Sequence, residues 1–260
     1  MGGVDVAEYI SALERDGVLL ADAAAEAGLT PAVPTCPGWQ VRDLVRHQAY
    51  VHGWAARHVA DQLEELIDEA TEDEILNGGP PDGELIARYR EGHGVLVRTL
   101  READPEVTCA TFMAAPSPLA FWARRQAHET AIHRYDAQAA RLPEPPSPAR
   151  AFEPAFADDG IDELIMGFAA RRRYRPRGEG ERSLAVAATD TGGRWHVRLA
   201  DGGTEVSRGD RKADCVLEGP AAGLYALLWN RCDSAQAARV TISGDQAIRS
   251  IWGSSVRVRW

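Results

Sequence analysis

The segment Leu142-Pro143-Glu144-Pro145-Pro146-Ser147-Pro148 places four prolines within seven residues. Proline lacks an amide hydrogen and fixes φ, so no helix or central strand can run through such a stretch. The hydrophobic patterning also changes across it. On the N-terminal side apolar residues recur at threes and fours, and on the C-terminal side they shift towards alternation after one further helix. The two periods belong to different layers of structure. The sequence therefore predicts a multidomain chain: an all-α domain over 1–142, a stiff linker over 143–152, and a small α+β domain over 153–260.

Four helical segments are predicted before the linker. Val4 to Ala27 carries Ile10, Leu13, Val18, Leu19 and Leu20 and closes at Gly28. Three prolines and a glycine between Thr30 and Trp39 impose a structured loop. Val41, Leu44, Val45, Tyr50, Val51, Trp54 and Ala55 then mark a second helix, read as extending to about Ala70, with His47, His52 and His58 along it. Asn77 to Gly83 is a second break, followed by a helix from Glu84 to Ala103 with Leu85, Tyr89, His93, Leu96 and Leu100 as its inner stripe. The fourth runs from Phe121 to about Ala140, with no Gly or Pro between Leu119 and Arg141. Four such helices with short or moderate connections describe an antiparallel four-helix bundle. Beyond the linker, a helix from Phe156 to Arg173 precedes strands at 183–189, 194–199, 203–206 and 213–218. A helix over 221–230 opened by Pro220, a strand at 240–242, a helix over 245–252 and a last strand at 256–258 complete the pattern.

With 39 acidic against 29 basic residues the net charge is −10, which argues against a nucleic-acid surface or an anionic membrane as partner. The basic run Arg171 to Arg177 is read as a solvated helix end and turn. No signal peptide and no uninterrupted apolar run of spanning length stand out, so a cytoplasmic location is expected. Cys36, Cys109, Cys215 and Cys232 contain no Cys-x-x-Cys pair and are expected to be reduced thiols, buried or half-buried.

The fourth helix carries His128-Glu129-Thr130-Ala131-Ile132-His133. Two histidines five apart do not make the His-Glu-x-x-His zinc pattern, which needs i and i+4. Glu129 and His133 do share a face, one turn apart, and suit a divalent metal if a third ligand comes from elsewhere. Taken alone this pair is weak, because such a pair is commonly a solvated helix-surface contact. Of the other histidines, His196 lies on a strand among polar neighbours and His93 suits the bundle core. His47 lies two turns into the second helix, just after the rigid Pro37-Gly38-Trp39 loop, and an antiparallel bundle can bring it level with Glu129 and His133. His128 is read as a helix-surface residue, Trp39 and Trp54 as core aromatics, and Cys36 as loop packing.

The two stretches Val33-Pro34-Thr35-Cys36-Pro37-Gly38-Trp39-Gln40-Val41-Arg42-Asp43-Leu44-Val45-Arg46-His47 and Arg125-Gln126-Ala127-His128-Glu129-Thr130-Ala131-Ile132-His133-Arg134-Tyr135-Asp136 closely resemble the actinobacterial mycothiol-dependent maleylpyruvate isomerase-like family. That family combines a DinB/YfiT-like four-helix metal-binding domain with a C-terminal α+β module resembling sterol carrier protein 2. The resemblance implies metal ligands at His47, Glu129 and His133, zinc as the ion, and mycothiol as thiol cosubstrate. It also implies a catalytic arginine in the second domain. Leu227-Leu228-Trp229-Asn230-Arg231 looks like the family's Leu-x-x-Trp-Gly-Arg, with Asn230 in place of glycine, which makes Arg231 that residue.

The activity so implied is cis-trans isomerisation by a metal-activated thiol, or a related thiol transfer, on a small-molecule substrate. Two other readings stand beside it: a metalloprotein of the same fold acting on another small molecule without mycothiol, and a non-enzymatic small-molecule-binding protein.

Overall fold

The computed structural model describes residues 4–68, 70–171, 180–200, 203–233, 235–237 and 239–256. The chain divides into two compact units after Pro146. In the first, four long helices form the body: α1 (Val6–Ala27), α2 (Val41–Ala60), α4 (Asp82–Glu102) and α5 (Pro118–Arg141), with a short α3 (Glu72–Asn77) between α2 and α4. α5 packs on α1 and α2, and α4 packs on the same two helices. Leu20, Ala24, Leu44, Val45, Leu85, Tyr89 and Ala137 from all four long helices meet in one core cluster.

The start of α2 is held unusually firmly. Ala32 bridges Gln40, Val33 N–H donates to the Trp39 carbonyl, Cys36 N–H donates to the Val33 carbonyl, and Trp39 N–H closes the turn around Gly38 by donating to the Cys36 carbonyl. Gly38 has φ +93°, a left-handed conformation that side-chain-bearing residues resist. The Arg42 and Val41 amides then donate to Leu29 and Pro31. The sequence places a rigid loop here, and these bonds are what make it rigid.

Two features depart from the sequence reading. α2 ends at Ala60 rather than near Ala70, where Gln62 takes φ +49° and the chain turns back. His58 causes this reversal, with Nδ1 bonded to the Trp54 carbonyl and Nε2 accepting from the Ile67 amide. The chain then forms α3, which the periodicity does not announce. Its signal is local, a Thr71/Glu74 capping box.

His93 is buried in α4 and reaches the Glu14 carbonyl of α1 over Gly17. A Cβ on Gly17 would lie 2.2 Å from the imidazole, so glycine is required for this close crossing.

The second unit opens with α6 (Pro148–Ala151) and α7 (Pro154–Asp162), which continues as a π-helix over Glu163–Ala169. Arg172, Arg173 and the rest of the basic run lie outside the described residues. Strands β1 (Arg182–Ala188), β2 (Arg194–Ala200), β3 (Gly203–Arg208), β4 (Cys215–Gly219) and β5 (Thr241–Gly244) form a mixed sheet in the order β3-β2-β1-β4-β5. β1 and β4 are parallel and every other pairing is antiparallel. β2 alternates strictly, with Trp195, Val197 and Leu199 buried, as its period-two sequence predicts. α8 (Ala221–Leu228), with Pro220 at its N-cap, lies between β4 and its antiparallel neighbour β5, so the parallel β1 and β4 are connected through β2 and β3, and α9 (Ala247–Ser255) follows β5. The predicted terminal strand at 256–258 falls almost wholly outside the described residues.

Several histidines are buried in the neutral form. Burial, then the charge of His93, drives His52 well below its ordinary value, and burial likewise lowers His93 and His58. A lowered histidine leaves the folded state unprotonated while the unfolded chain takes up a proton below about pH 6.5, so its stabilising contribution is lost as pH falls. Each such group steepens the loss by up to about 1.4 kcal/mol per pH unit. Urea unfolding of metal-free protein between pH 7.5 and 5.5 is expected to show a smaller acid-side loss for His52→Gln than for wild type. Equal slopes would remove His52 from this role.

Candidate metal centre

α5 is buried nearly all round, yet Arg125, Gln126, His128, Glu129, Thr130, His133, Arg134 and Asp136 are among its buried residues. Interior charge is costly unless it is paired or coordinated, so such a helix points to a polar site rather than a packing core. Ser117 caps its first turn by accepting from the Ala120 amide, with Pro118 next, and this anchors the register of everything beyond.

The structure brings His47, Glu129 and His133 together. Glu129 Oε1 lies 3.1 Å from His47 Nε2 and 3.2 Å from His133 Nε2. All three side chains are buried, at 4%, 2% and 6% exposure, and each offers a ligand atom within 4.8 Å of the other two. Donors around a tetrahedral zinc, at roughly 2.0–2.1 Å from the ion, stand roughly 3.3–3.4 Å apart. The observed separations and the two-imidazole, one-carboxylate set therefore fit a divalent ion of this kind.

The surroundings orient each ligand. His133 Nδ1 donates to Asp136 Oδ2 at 2.9 Å, which leaves Nε2 directed at Glu129. Cys36 Sγ donates to the same carboxylate oxygen at 3.3 Å. Arg125 Nη2 donates to Glu129 Oε2 at 2.9 Å. Behind the site, His52 Nε2 is 2.9 Å from Thr130 Oγ1, which in turn donates to Gln48 Oε1 at 3.4 Å. The Trp39 indole lies against both imidazoles, stacked with His133 at 6.1 Å and tilted over His47 at 5.1 Å. Its Nε1–H donates to Glu72 Oε1 of α3.

The electrostatics follow from these contacts. Burial alone would raise the Glu129 pKa, but hydrogen bonds from His133 and His47 and the charges of His133 and Arg125 outweigh it and hold the carboxyl well below its ordinary range. Burial alone would lower His133, but hydrogen bonds with Asp136, Cys36 and Glu129 push it well above 6.5.

His128 differs from the sequence reading, being fully buried edge-on against Tyr9 rather than lying at a helix surface. Trp39 is half-buried, packing against the core cluster while its ring lies beside the two imidazoles, and Trp54 is a buried core aromatic. Cys36 touches the Asp136 carboxylate rather than merely packing. Sequence reasoning named Asp136 without singling it out and overlooked Arg125. The signal for Arg125 was its i−4 spacing to Glu129, which continues the Glu129–His133 face backwards by one turn.

Arg231 lies in the second unit just after α8, half-buried, with Nη1 donating to the Trp229 carbonyl. Asn230 before it takes φ +59°. The left-handed conformation favours glycine, and asparagine is among the residues that best replace it there, which explains the departure from the Trp-Gly-Arg pattern.

Two family models match the chain: the mycothiol maleylpyruvate isomerase N-terminal domain over residues 10–138 and the MDMPI C-terminal domain over residues 155–249. The chain belongs to the mycothiol maleylpyruvate isomerase family. Among solved structures it is similar to the crystal structure of the mycothiol-dependent maleylpyruvate isomerase, with a TM-score of 0.64 and 14% identity over 94% of this chain and 96% of the other. A histidine-to-alanine mutant of that enzyme gives a TM-score of 0.63 and 15% identity over the same shares. At these identities the likeness is one of fold. No curated protein matches the chain.

The raised His133 gives the site a testable pH dependence. A metal must displace the His133 proton, so zinc binding at neutral pH is expected to release protons, and affinity is expected to climb with pH up to the raised value. Calorimetry in buffers of different ionisation enthalpy reads the proton count. His47→Ala and His133→Ala are expected to lose the zinc that purified wild type retains, and equal retention by both would sink the ligand assignment.

Proposed function

We propose that this protein is a thiol-dependent isomerase in which His47, Glu129 and His133 hold a divalent metal, zinc being the ion that the donor set suits best. Mycothiol, a sugar-linked cysteine, is the thiol cosubstrate in this reading, and a small cis-enedioate of the maleylpyruvate type is the substrate. The observation that carries it is the meeting of two buried imidazole nitrogens at one oxygen of a buried carboxylate in a chain of this family. The four free cysteines suit the cytoplasm.

When bound, the metal would lower the pKa of a coordinated thiol so that thiolate is present at neutral pH. The chain's own residues do the rest. Ionised Glu129 and the two imidazoles supply the donor set, Asp136 keeps His133 in the tautomer whose Nε2 faces it, and Trp39 lies against both imidazoles. The mycothiol sulfur would add to one carbon of the cis double bond, with the π pair moving onto the conjugated carbonyl. Rotation about the resulting single bond and return of that pair would expel the thiolate and leave the trans isomer. No oxidant or net proton is consumed. Arg231 is assigned to hold a substrate carboxylate or the cosubstrate by paired, charge-assisted hydrogen bonds. Its place in the Leu-x-x-Trp-Asn-Arg segment supports this role, with Asn230 adopting the backbone conformation that glycine would.

Zinc-loaded protein is expected to isomerise maleylpyruvate only when mycothiol is added, followed as loss of the enol absorbance. Arg231→Ala is expected to lower kcat/KM by about 10- to 100-fold, the scale of a lost hydrogen bond between charged groups. Metal bound but no thiol-dependent turnover would remove the named activity and leave the metal centre standing.

A further inference from the structure

Arg125 has no assigned role, yet it is among the largest fully buried side chains of the described residues, at 0% exposure. It sits on α5 one turn before Glu129, and its Nη2 is 2.9 Å from Glu129 Oε2. The other oxygen of the same carboxylate, Oε1, is the one within 3.1 and 3.2 Å of the two imidazoles. The carboxylate is thus divided, with one oxygen facing the guanidinium and the other facing the histidines.

An i,i+4 Arg–Glu pair on a helix surface contributes little, because water screens both charges. Here neither partner is exposed, and burying a guanidinium is costly unless its charge is used. A leucine at this position would pack the interior with no such penalty. The charge pairing therefore calls for an explanation beyond stability, and the division of the two oxygens supplies one.

We infer that Arg125 is a positioning residue for the metal: by holding Oε2 it makes Glu129 a one-oxygen ligand and offsets part of the negative charge that this ligand donates. The inference rests on the metal-centre reading above. Two consequences follow from elementary coordination chemistry. A carboxylate free to rotate can bind a divalent ion through both oxygens, filling a position that a thiol would need, and the Arg125 contact withholds one of them. A carboxylate already shared with a guanidinium also gives less electron density to the ion, which then acidifies a bound thiol more strongly. Arg125 touches neither substrate nor cosubstrate in this account and acts through Glu129.

The test compares wild type, Arg125→Lys and Arg125→Met, each checked for helical content and a cooperative melt, by zinc affinity in chelator competition and by the visible spectrum of the cobalt(II)-substituted protein. Four-coordinate cobalt(II) absorbs strongly, and absorption weakens as coordination number rises. Arg125→Met is expected to bind zinc about 10-fold more tightly, because both Glu129 oxygens and their full charge become available to the ion, and to show a weaker, shifted cobalt band. Arg125→Lys is expected to fall between, since one ammonium replaces a planar fork. Should Arg125→Met not fold, Arg125→Lys carries the comparison. Wild-type affinity and band shape in every variant that folds would overturn the inference. Failure of wild type itself to bind zinc or cobalt would instead overturn the metal-centre reading, so the two failures are distinguishable.

Discussion

The buried carboxylate of Glu129 is the interaction on which the helical unit depends. A charge at 2% exposure is tolerable only with partners on every side, and Glu129 has them in His47, His133 and Arg125. Each partner imposes a further requirement. His47 must arrive from α2 at one level, so the α2 N-terminus is pinned by the Val33–Trp39 loop. His133 must present Nε2, so Asp136 takes its Nδ1–H. Arg125 must lie one turn earlier on the same face of α5. The helix that carries these groups is consequently polar in its interior, the reverse of what a bundle needs for hydrophobic packing.

The price of that polar interior is met by the apolar faces of the other helices, with Leu20, Leu44, Leu85 and Tyr89 closing the core to one side. Near the site the shell remains polar through His52, Thr130 and Gln48, so the ligand carboxylate is surrounded by groups that can answer it with hydrogen bonds. The indole of Trp39 joins the two halves of this arrangement. It belongs to the loop that anchors α2, it lies against both imidazoles, and it is held in turn by Glu72 of α3. A short helix without strong periodicity is thereby tied to the centre.

Much of this is legible in the sequence. The proline-rich stretch, the period-3.6 segments and the alternating strands announce a helical unit followed by a mixed α+β unit, because both periods are local consequences of backbone geometry. Glu129 and His133 pair from spacing alone, His47 is a candidate third ligand from its place on the second helix, and the family resemblance selects the same three positions. Apolar and helix-forming residues continue past Ala60, which extends the predicted α2 beyond its observed end. The signal that ends the helix is the His58 imidazole bridging Trp54 and Ile67, a contact with no sequence period. Polarity places His128 at a surface because polar residues are usually exposed, a rule that fails on a helix surrounded by others.

Residue types and spacing determined which groups this chain offers: two imidazoles, a carboxylate, and an arginine four residues before that carboxylate. They also determined the local conformations, such as the left-handed positions at Gly38 and Asn230. Tertiary structure alone decided that residues 82 positions apart, His47 and Glu129, stand 3.1 Å from each other. It also decided which oxygen of Glu129 faces the histidines and which faces Arg125. Those choices depend on how α2 and α5 pack, and packing is settled by the complementarity of whole helix faces rather than by any residue's immediate neighbours in sequence.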